Sequence, residues 1–287
     1  MSPLRHAGPS LCPGCGKLVG INDSRCGTCG RWNPTLWGFA PWLRILGRDL
    51  GFVQIVLYGC SFLYVACLLM DAGNVRVPAR LSFLSPSLRS LYMFGASGAV
   101  PVFGRGRWWT VLSAGWLHGG LLHILFNMMW VRQLGPAVGD LFGTSRMVIL
   151  YTAASATGFL LSSVAGAFLG SLPLLGGAGF TVGASAPIFG LLAALVFYGR
   201  NVGGRALGAQ AWTYAVILFV FGFVMPGVDN YAHAGGFLGG YAAARWLNPH
   251  EPERGDHAIL ALACVAATAL AIVASVVLGL RDFLAGT

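Results

Sequence analysis

Long apolar runs broken by short charged clusters organise this chain. Gly51 to Met70 carries no charge over 20 residues, and Trp108 to Val131 none over 24. Met147 to Gly199 is free of charge over 53 residues, and the turn-forming patch Gly176-Gly177-Ala178-Gly179 divides it in two. Ala206 to Val228, Asn230 to Ala244 and Ala258 to Leu280 complete the set. About 20 apolar residues span the hydrocarbon core of a bilayer, so the pattern predicts seven transmembrane helices. The sixth is the shortest, and it reaches Trp246 if Arg245 snorkels to the surface.

Composition fits that pattern. The chain is 56% hydrophobic and 9% charged, where a soluble domain carries about 25% charged residues. The fold class is therefore an all-α polytopic membrane protein. A net charge of +9, from 17 Arg and a single Lys, raises the question of nucleic acid. The charges lie in loops between spans, where a positive-inside bias accounts for them, so no nucleic-acid partner is expected. With a cytoplasmic N-terminus, inside segments hold 12 basic residues and outside segments six. The long first loop, 71–107, carries Arg76, Arg80, Arg89, Arg105 and Arg107, and long loops obey the rule weakly. It alternates these charges with apolar groups such as Leu91-Tyr92-Met93-Phe94, which favours a structured element resting in the interface. The first fifty residues are polar and cysteine-rich, and no signal peptide is expected there.

Residues 1–35 read as a separate module. Cys12-Pro-Gly-Cys15-Gly and Cys26-Gly-Thr-Cys29-Gly are two CxxC pairs, each followed by glycine and separated by ten residues. Four thiolates in this spacing complete a closed tetrahedral site, so a structural zinc ribbon is expected. The alternative is a pair of disulfides, which a cytoplasmic location disfavours. A closed site leaves no position for catalysis, and the ribbon's partner is unspecified. Cys60, Cys67 and Cys264 lie in apolar runs and read as packing residues. A connector, 36–50, carries Trp37, Pro41, Trp42, Arg44 and Arg48 and suits a membrane surface. A 51–247 core and a 248–287 linker with the last helix follow.

A few polar side chains interrupt the spans. Ser185 opens the fourth span within Gly183-Ala184-Ser185-Ala186-Pro187, and His233 stands in the sixth. Polar groups at membrane depth are costly and mark function or pairing; a hydroxyl and an imidazole together suggest a nucleophile and its base. Pro187 suits a first helical turn, where free backbone N–H groups surround the serine; the plainer reading is a serine N-cap. Phe189 is one turn on and can stack against the base. Gly236 and Gly240 lie within about 60° of the His233 stripe, and small residues there allow close helix approach. Asp229, one turn before His233, lies at a span end and reads as solvated.

In the second span, His123 and Asn127 are one turn apart and share a face, while His118 is rotated by about 140° from His123 on ideal helix geometry. His123 and Asn127 can aim donors at one oxyanion, or glue helices by hydrogen bonding. His118 reads as holding the adjacent loop. A second string, Gly95-Ala96-Ser97-Gly98, lies in the charged first loop and opens no span. The hydrolase elbow G-x-S-x-G does not fit Ser185, because Pro187 takes the last glycine position.

These motifs together resemble the rhomboid family of intramembrane serine proteases. The matching residues are His118-x4-His123-x3-Asn127, Gly183-Ala184-Ser185 and Ala232-His233-Ala234-Gly235-Gly236, with Gly106-Arg107-Trp108-Trp109 through Trp116-Leu117-His118 at the end of the first loop. The resemblance covers about 50–247. It implies a six-helix bundle plus one C-terminal helix, with Ser185 as nucleophile and His233 as base. It also implies an oxyanion hole of His123, Asn127 and the Ser185 amide, and Phe189 packed on His233. No cofactor is implied for catalysis. Two positions depart from the pattern: Ala186 stands where glycine is usual, and Trp109-Thr110 where a Trp-Arg pair is usual.

The reading is an endopeptidase in the cell membrane that cuts transmembrane segments of other proteins, its site opening toward the outer face. One alternative is an inactive rhomboid-like protein that binds membrane helices, which usually lacks the Ser or the His. Another is a transporter or channel, for which no internal repeat or broken-helix pair argues.

Overall fold

The computed structural model describes residues 10–12, 15–20, 23–34, 51–75, 83–170, 176–251 and 253–285. The 36–50 connector, Arg76 and Arg80 lie outside them. Two short strands, β1 (Ser10–Leu11) and β2 (Leu18–Val19), pair antiparallel around the first cysteine pair. The rest is helical: α1 (Phe52–Met70), α2 (Leu88–Phe94), α3 (Thr110–Ser113), α4 (Leu121–Phe142), α5 (Thr144–Leu169), α6 (Ser185–Asn201), α7 (Arg205–Val224), α8 (Asn230–Leu247) and α9 (Gly255–Ala285).

Burial orders the bundle. Of the 17 residues of α6, 13 are buried, against four of the 20 in α7. The first is therefore the central rod, and the second presents Trp212, Ile217, Val220, Phe223 and Val224 outward, as a lipid-facing helix does. In α1, Val53, Val56, Cys60, Leu63, Tyr64 and Cys67 are buried at three- and four-residue spacing, while Tyr58, Phe62 and Leu69 face out. Among the described residues, four helices are long and apolar enough to cross a membrane: α1, α5, α7 and α9 up to Asp282. The remaining long helices, α4, α6 and α8, carry the polar candidates. Of these only α6 is buried over most of its length; α4 carries Arg132, Gln133 and Asp140, and α8 carries Asn230, His233 and Arg245.

The second apolar run does not form one helix. Residues 108–120 fold as α3, a 3₁₀ turn (Ala114–Trp116) and an extended piece, and the long helix starts at Leu121. Gly115, Gly119 and Gly120 weaken helix there, and Ser113 finds the Gly95 carbonyl at 2.9 Å instead. The helix then runs on through Arg132, Pro136 and Asp140 to Phe142, beyond the charge-free stretch.

The helices touch where small residues allow it. α8 packs most extensively against α5 and α6. A Cβ added to Gly236 would overlap the Ala186 backbone, and one on Gly240 the Gly190 backbone. From residue 83 on the first loop is structured, as its apolar groups predict: α2 is N-capped by Ser87, whose Oγ accepts from Ser90 N at 3.1 Å. A π-helical turn, Val100–Gly104, follows. Helix α9 lies across α2, α3 and α5.

Candidate active site

Ser185 is the first residue of α6. Ala184 occupies the N-cap position and no side chain caps the helix, so the plainer reading of Ser185 as the cap does not hold. The hydroxyl is left for other work, and Ser185 remains partly exposed. His233, 5% exposed, lies on α8 with its ring stacked on Phe189 at 4.2 Å and 15°. Phe189 is one turn from Ser185, and Gly236, three residues past His233, lies on the Ala186 backbone. These two contacts set the first turn of α6 against the His233 face of α8. No hydrogen bond joins them among the described residues, and such bonds are often loose before substrate binds.

On the other side of Ser185 stands α4. Gly183 has φ +134°, and a Cβ there would lie 2.7 Å from His123 Nε2 and 3.6 Å from Asn127 Nδ2. Only a residue without a side chain lets this segment pass so close. His123 Nδ1 accepts from the Gly119 N–H at 3.3 Å. The neutral ring then carries its proton on Nε2, the nitrogen facing Gly183. Asn127 is 2% exposed, and its Nδ2 is buried without a protein partner. Two donors from one helix face thus converge on the turn leading into Ser185. A buried unpaired donor is destabilising, and such a group is characteristic of a site that waits for a ligand atom.

His118 is not on α4 and does not point away. It lies before the helix, fully buried, with its ring edge-on to His123 at 5.2 Å. The Ala184 N–H donates to its Nε2 at 3.5 Å. Helical geometry failed here because residue 118 follows the extended Leu117 and precedes the helix that starts at Leu121. Gly183 N also donates to the Ala114 carbonyl at 3.0 Å.

The methyl of Ala186 points toward α5, not toward His123. A Cβ on Gly158 would lie 2.7 Å from it, so Gly158 vacates the space that Ala186 fills. Thr110 is buried, donating to the Arg107 carbonyl at 2.7 Å and toward Ser97 Oγ at 3.3 Å. Ser97 is structural: it exchanges both backbone hydrogen bonds with Thr181, at 3.1 and 2.8 Å.

Asp229 is not simply solvated. Its Oδ1 accepts from Ala232 N at 3.0 Å as the N-cap of α8, and Oδ2 accepts from the Ser162 hydroxyl. His233 Nδ1 is buried with no protein partner, so Asp229 caps the helix rather than orienting the ring. The adjacent pair Ser162-Ser163 in an apolar helix was the sequence signal for this contact, and Gly158 gave none.

The four ribbon sulfurs lie within 4.8 Å of one another, Cys12 to Cys29 and Cys15 to Cys26 each at 3.6 Å. No disulfide joins these four cysteines. Sulfurs about 2.3 Å from a tetrahedral ion stand roughly 3.8 Å apart, so this set fits a metal such as zinc. Gly16 and Gly30, at φ +72° and +70°, turn back onto the Cys12 and Cys26 carbonyls at 2.8 and 2.9 Å. Backbone N–H groups of Cys29 and Thr28 bring the Cys26 thiol down to about 6, and burial pushes Cys29 up to about 12. Arg31 pairs with Glu253 at 3.7 Å, and Glu253 accepts from Ser145 N and Arg146 N at the start of α5. Gly158, which meets Ala186, Ala232 and Gly236, lies 13 residues beyond Ser145 on that helix, about 20 Å, so the site lies beside the middle of α5 and the ribbon contact at its start.

The sequence matches the Rhomboid domain over residues 105–250, half of the chain. The chain belongs to the rhomboid family. Rhomboid protease GluP of Bacillus subtilis (strain 168) is 31% identical over 191 residues, covering 66% of this chain and 35% of that protein. RHOMBOID-like protein 4 of Arabidopsis thaliana is 32% identical over 162 residues, covering 55% and 39%. Inactive RHOMBOID-like protein 8 of the same plant is 25% identical over 204 residues, covering 65% and 54%. The chain thus spans between about a third and just over half the length of these relatives. Rhomboid membership and the four apolar helices make this a membrane protein.

Proposed function

We propose that this rhomboid is an intramembrane serine endopeptidase. The observation that carries the reading is convergence at one turn: Ser185 starts α6 beside His233, and His123 Nε2 and Asn127 Nδ2 meet the segment that precedes it. Ser185 Oγ attacks a peptide carbonyl as His233 takes its proton, and His233 then passes that proton to the amine that leaves as the C–N bond breaks. The oxyanion is held by His123, Asn127 and the Ser185 N–H, and water resolves the acyl-enzyme. His233 acts in a dyad; stacking on Phe189, not a carboxylate, fixes its plane. His118 holds the Gly183-Ala184 turn from behind. The glycines of α8 set the helix spacing.

Substrates on this reading are transmembrane segments of other proteins, locally unwound to expose their backbone. The core is 51–247, the linker and last helix 248–287, and the ribbon 1–35 with its 36–50 connector. The ribbon holds a structural zinc through Cys12, Cys15, Cys26 and Cys29, on the cytoplasmic side of the cell membrane. The site opens at the outer face, well along α5 from the ribbon-linked start of that helix. A relative named as inactive keeps the helix-binding alternative in view; Ser185 and His233 weigh against it, since both reacting side chains are present.

The test is cleavage of a fluorogenic transmembrane substrate by purified protein in detergent, with Ser185→Ala and His233→Ala beside wild type. Activity surviving Ser185→Ala refutes the mechanism. Labelling of Ser185 by a fluorophosphonate is the independent check.

A further inference from the structure

Helix α9 lies outside the residues proposed for chemistry, yet its far end is tied to the first loop several times over. Arg107, 4% exposed, donates from Nη2 to Asp282 Oδ2 at 3.0 Å. Its guanidinium also lies 4.3 Å from the Tyr92 ring centre and donates to the Tyr92 carbonyl at 3.3 Å. Trp109 Nε1 donates to Ser275 Oγ at 3.1 Å. Gly279 lies against Met93, where a Cβ would sit 2.5 Å from the Met93 Cα. A buried guanidinium needs an anion, and α9 supplies it from 175 residues away.

Two backbone paths run from that loop to the nucleophile. One is the Ser97–Thr181 exchange, extended by Ala99 N to the Ala178 carbonyl and Val100 N to the Gly179 carbonyl, at 3.0 and 3.1 Å. The other passes from Trp109 through the single turn of α3 to the Ala114 carbonyl, which accepts from Gly183 N. Gly183 is the residue that His123 and Asn127 face.

We propose that α9 clamps the catalytic site, with Asp282 and Ser275 as positioning residues that fix the first loop and, through it, Thr181 and Gly183. The proposal rests on the protease reading for its kinetic consequence. Loosening the clamp shifts the turn against which the oxyanion forms, so turnover falls. Helix α7 and the lipid-facing surface are untouched, so substrate affinity holds.

The experiment measures kcat and KM for Asp282→Ala, Asp282→Glu and Ser275→Ala, with tryptic cleavage after the exposed Arg105 as a direct readout of the loop. In Asp282→Ala, kcat is expected to fall about tenfold with KM unchanged, short of the roughly hundredfold of a full 1 Å misplacement. Asp282→Glu restores most of the rate, and cleavage at Arg105 speeds up only in the alanine variants. Wild-type kcat and wild-type tryptic rate in both alanine variants overturn the clamp. So does a parallel loss in kcat and KM that Asp282→Glu does not rescue. If wild type cleaves no substrate but Asp282→Ala still frees Arg105, the protease reading fails and the clamp stands.

Discussion

Gly183 lies against His123 so closely that the smallest side chain on the glycine would reach the imidazole Nε2. The turn before Ser185, the proposed nucleophile, and His123, the proposed oxyanion donor, are therefore one packed unit. Gly183→Ala meets both this contact and a φ of +134°, which alanine rarely adopts. Activity is expected to drop at least a hundredfold, about the cost of losing one oxyanion donor. Substrate turnover measured beside fluorophosphonate labelling of Ser185 checks it; near-wild-type rates would contradict the packed unit.

Asn127→Ala separates catalysis from stability. Its Nδ2 has no protein partner to lose, so removal relieves a buried unpaired donor rather than breaking a bond. We expect kcat to fall about a hundredfold while the thermal midpoint stays level or rises. A large fall in the midpoint would mean that Asn127 glues the bundle.

Ala186→Gly tests whether the departure from the usual glycine matters. The methyl packs toward Gly158 and away from His123, so activity should stay within about threefold of wild type. Stability should decline by roughly 0.5–1 kcal/mol for glycine in a helix. A rate rise of tenfold or more would mean that the methyl narrows the oxyanion hole after all.

Metal analysis should find one zinc per chain, lost in Cys12→Ser. The Cys26 thiol, brought down to about 6 from the ordinary 9.0, is a thiolate above that pH and is protonated below it. Zinc must compete with protons for all four thiols, Cys29 included, whose proton burial holds more tightly, so release is expected as pH falls, not as it rises. A chelator titration followed by zinc release gives the profile. Retention of all zinc at pH 4 would exclude these thiolates as its ligands.

Much of this architecture was legible in the sequence, because apolar length and isolated polar residues are local signals. The limits of α6 follow from Gly183-Ala184-Ser185 and Pro187, and the two knuckles follow from cysteine spacing. The second span was not legible: residues 108–120 are as free of charge as a helix, and lack of charge does not distinguish a helix from buried turns. That error carried over to His118, whose direction was computed on a helix it does not join. The contact of Asp229 with Ser162, across 67 residues, showed only as a polar pair, Ser162-Ser163, in an apolar helix. Gly158 making room for Ala186 from another helix left no local trace.

Helices α6 and α8 meet backbone to backbone at Gly236 and Gly240. No rotamer lies between them to absorb a change, so Ser185 and His233, the proposed reacting pair, ride on rigid rods like the points of a pair of callipers. Their separation is set by the angle of the rods. Bilayers of different thickness tilt helices differently, and reconstitution across a series of lipid chain lengths should change the cleavage rate while leaving the fold intact.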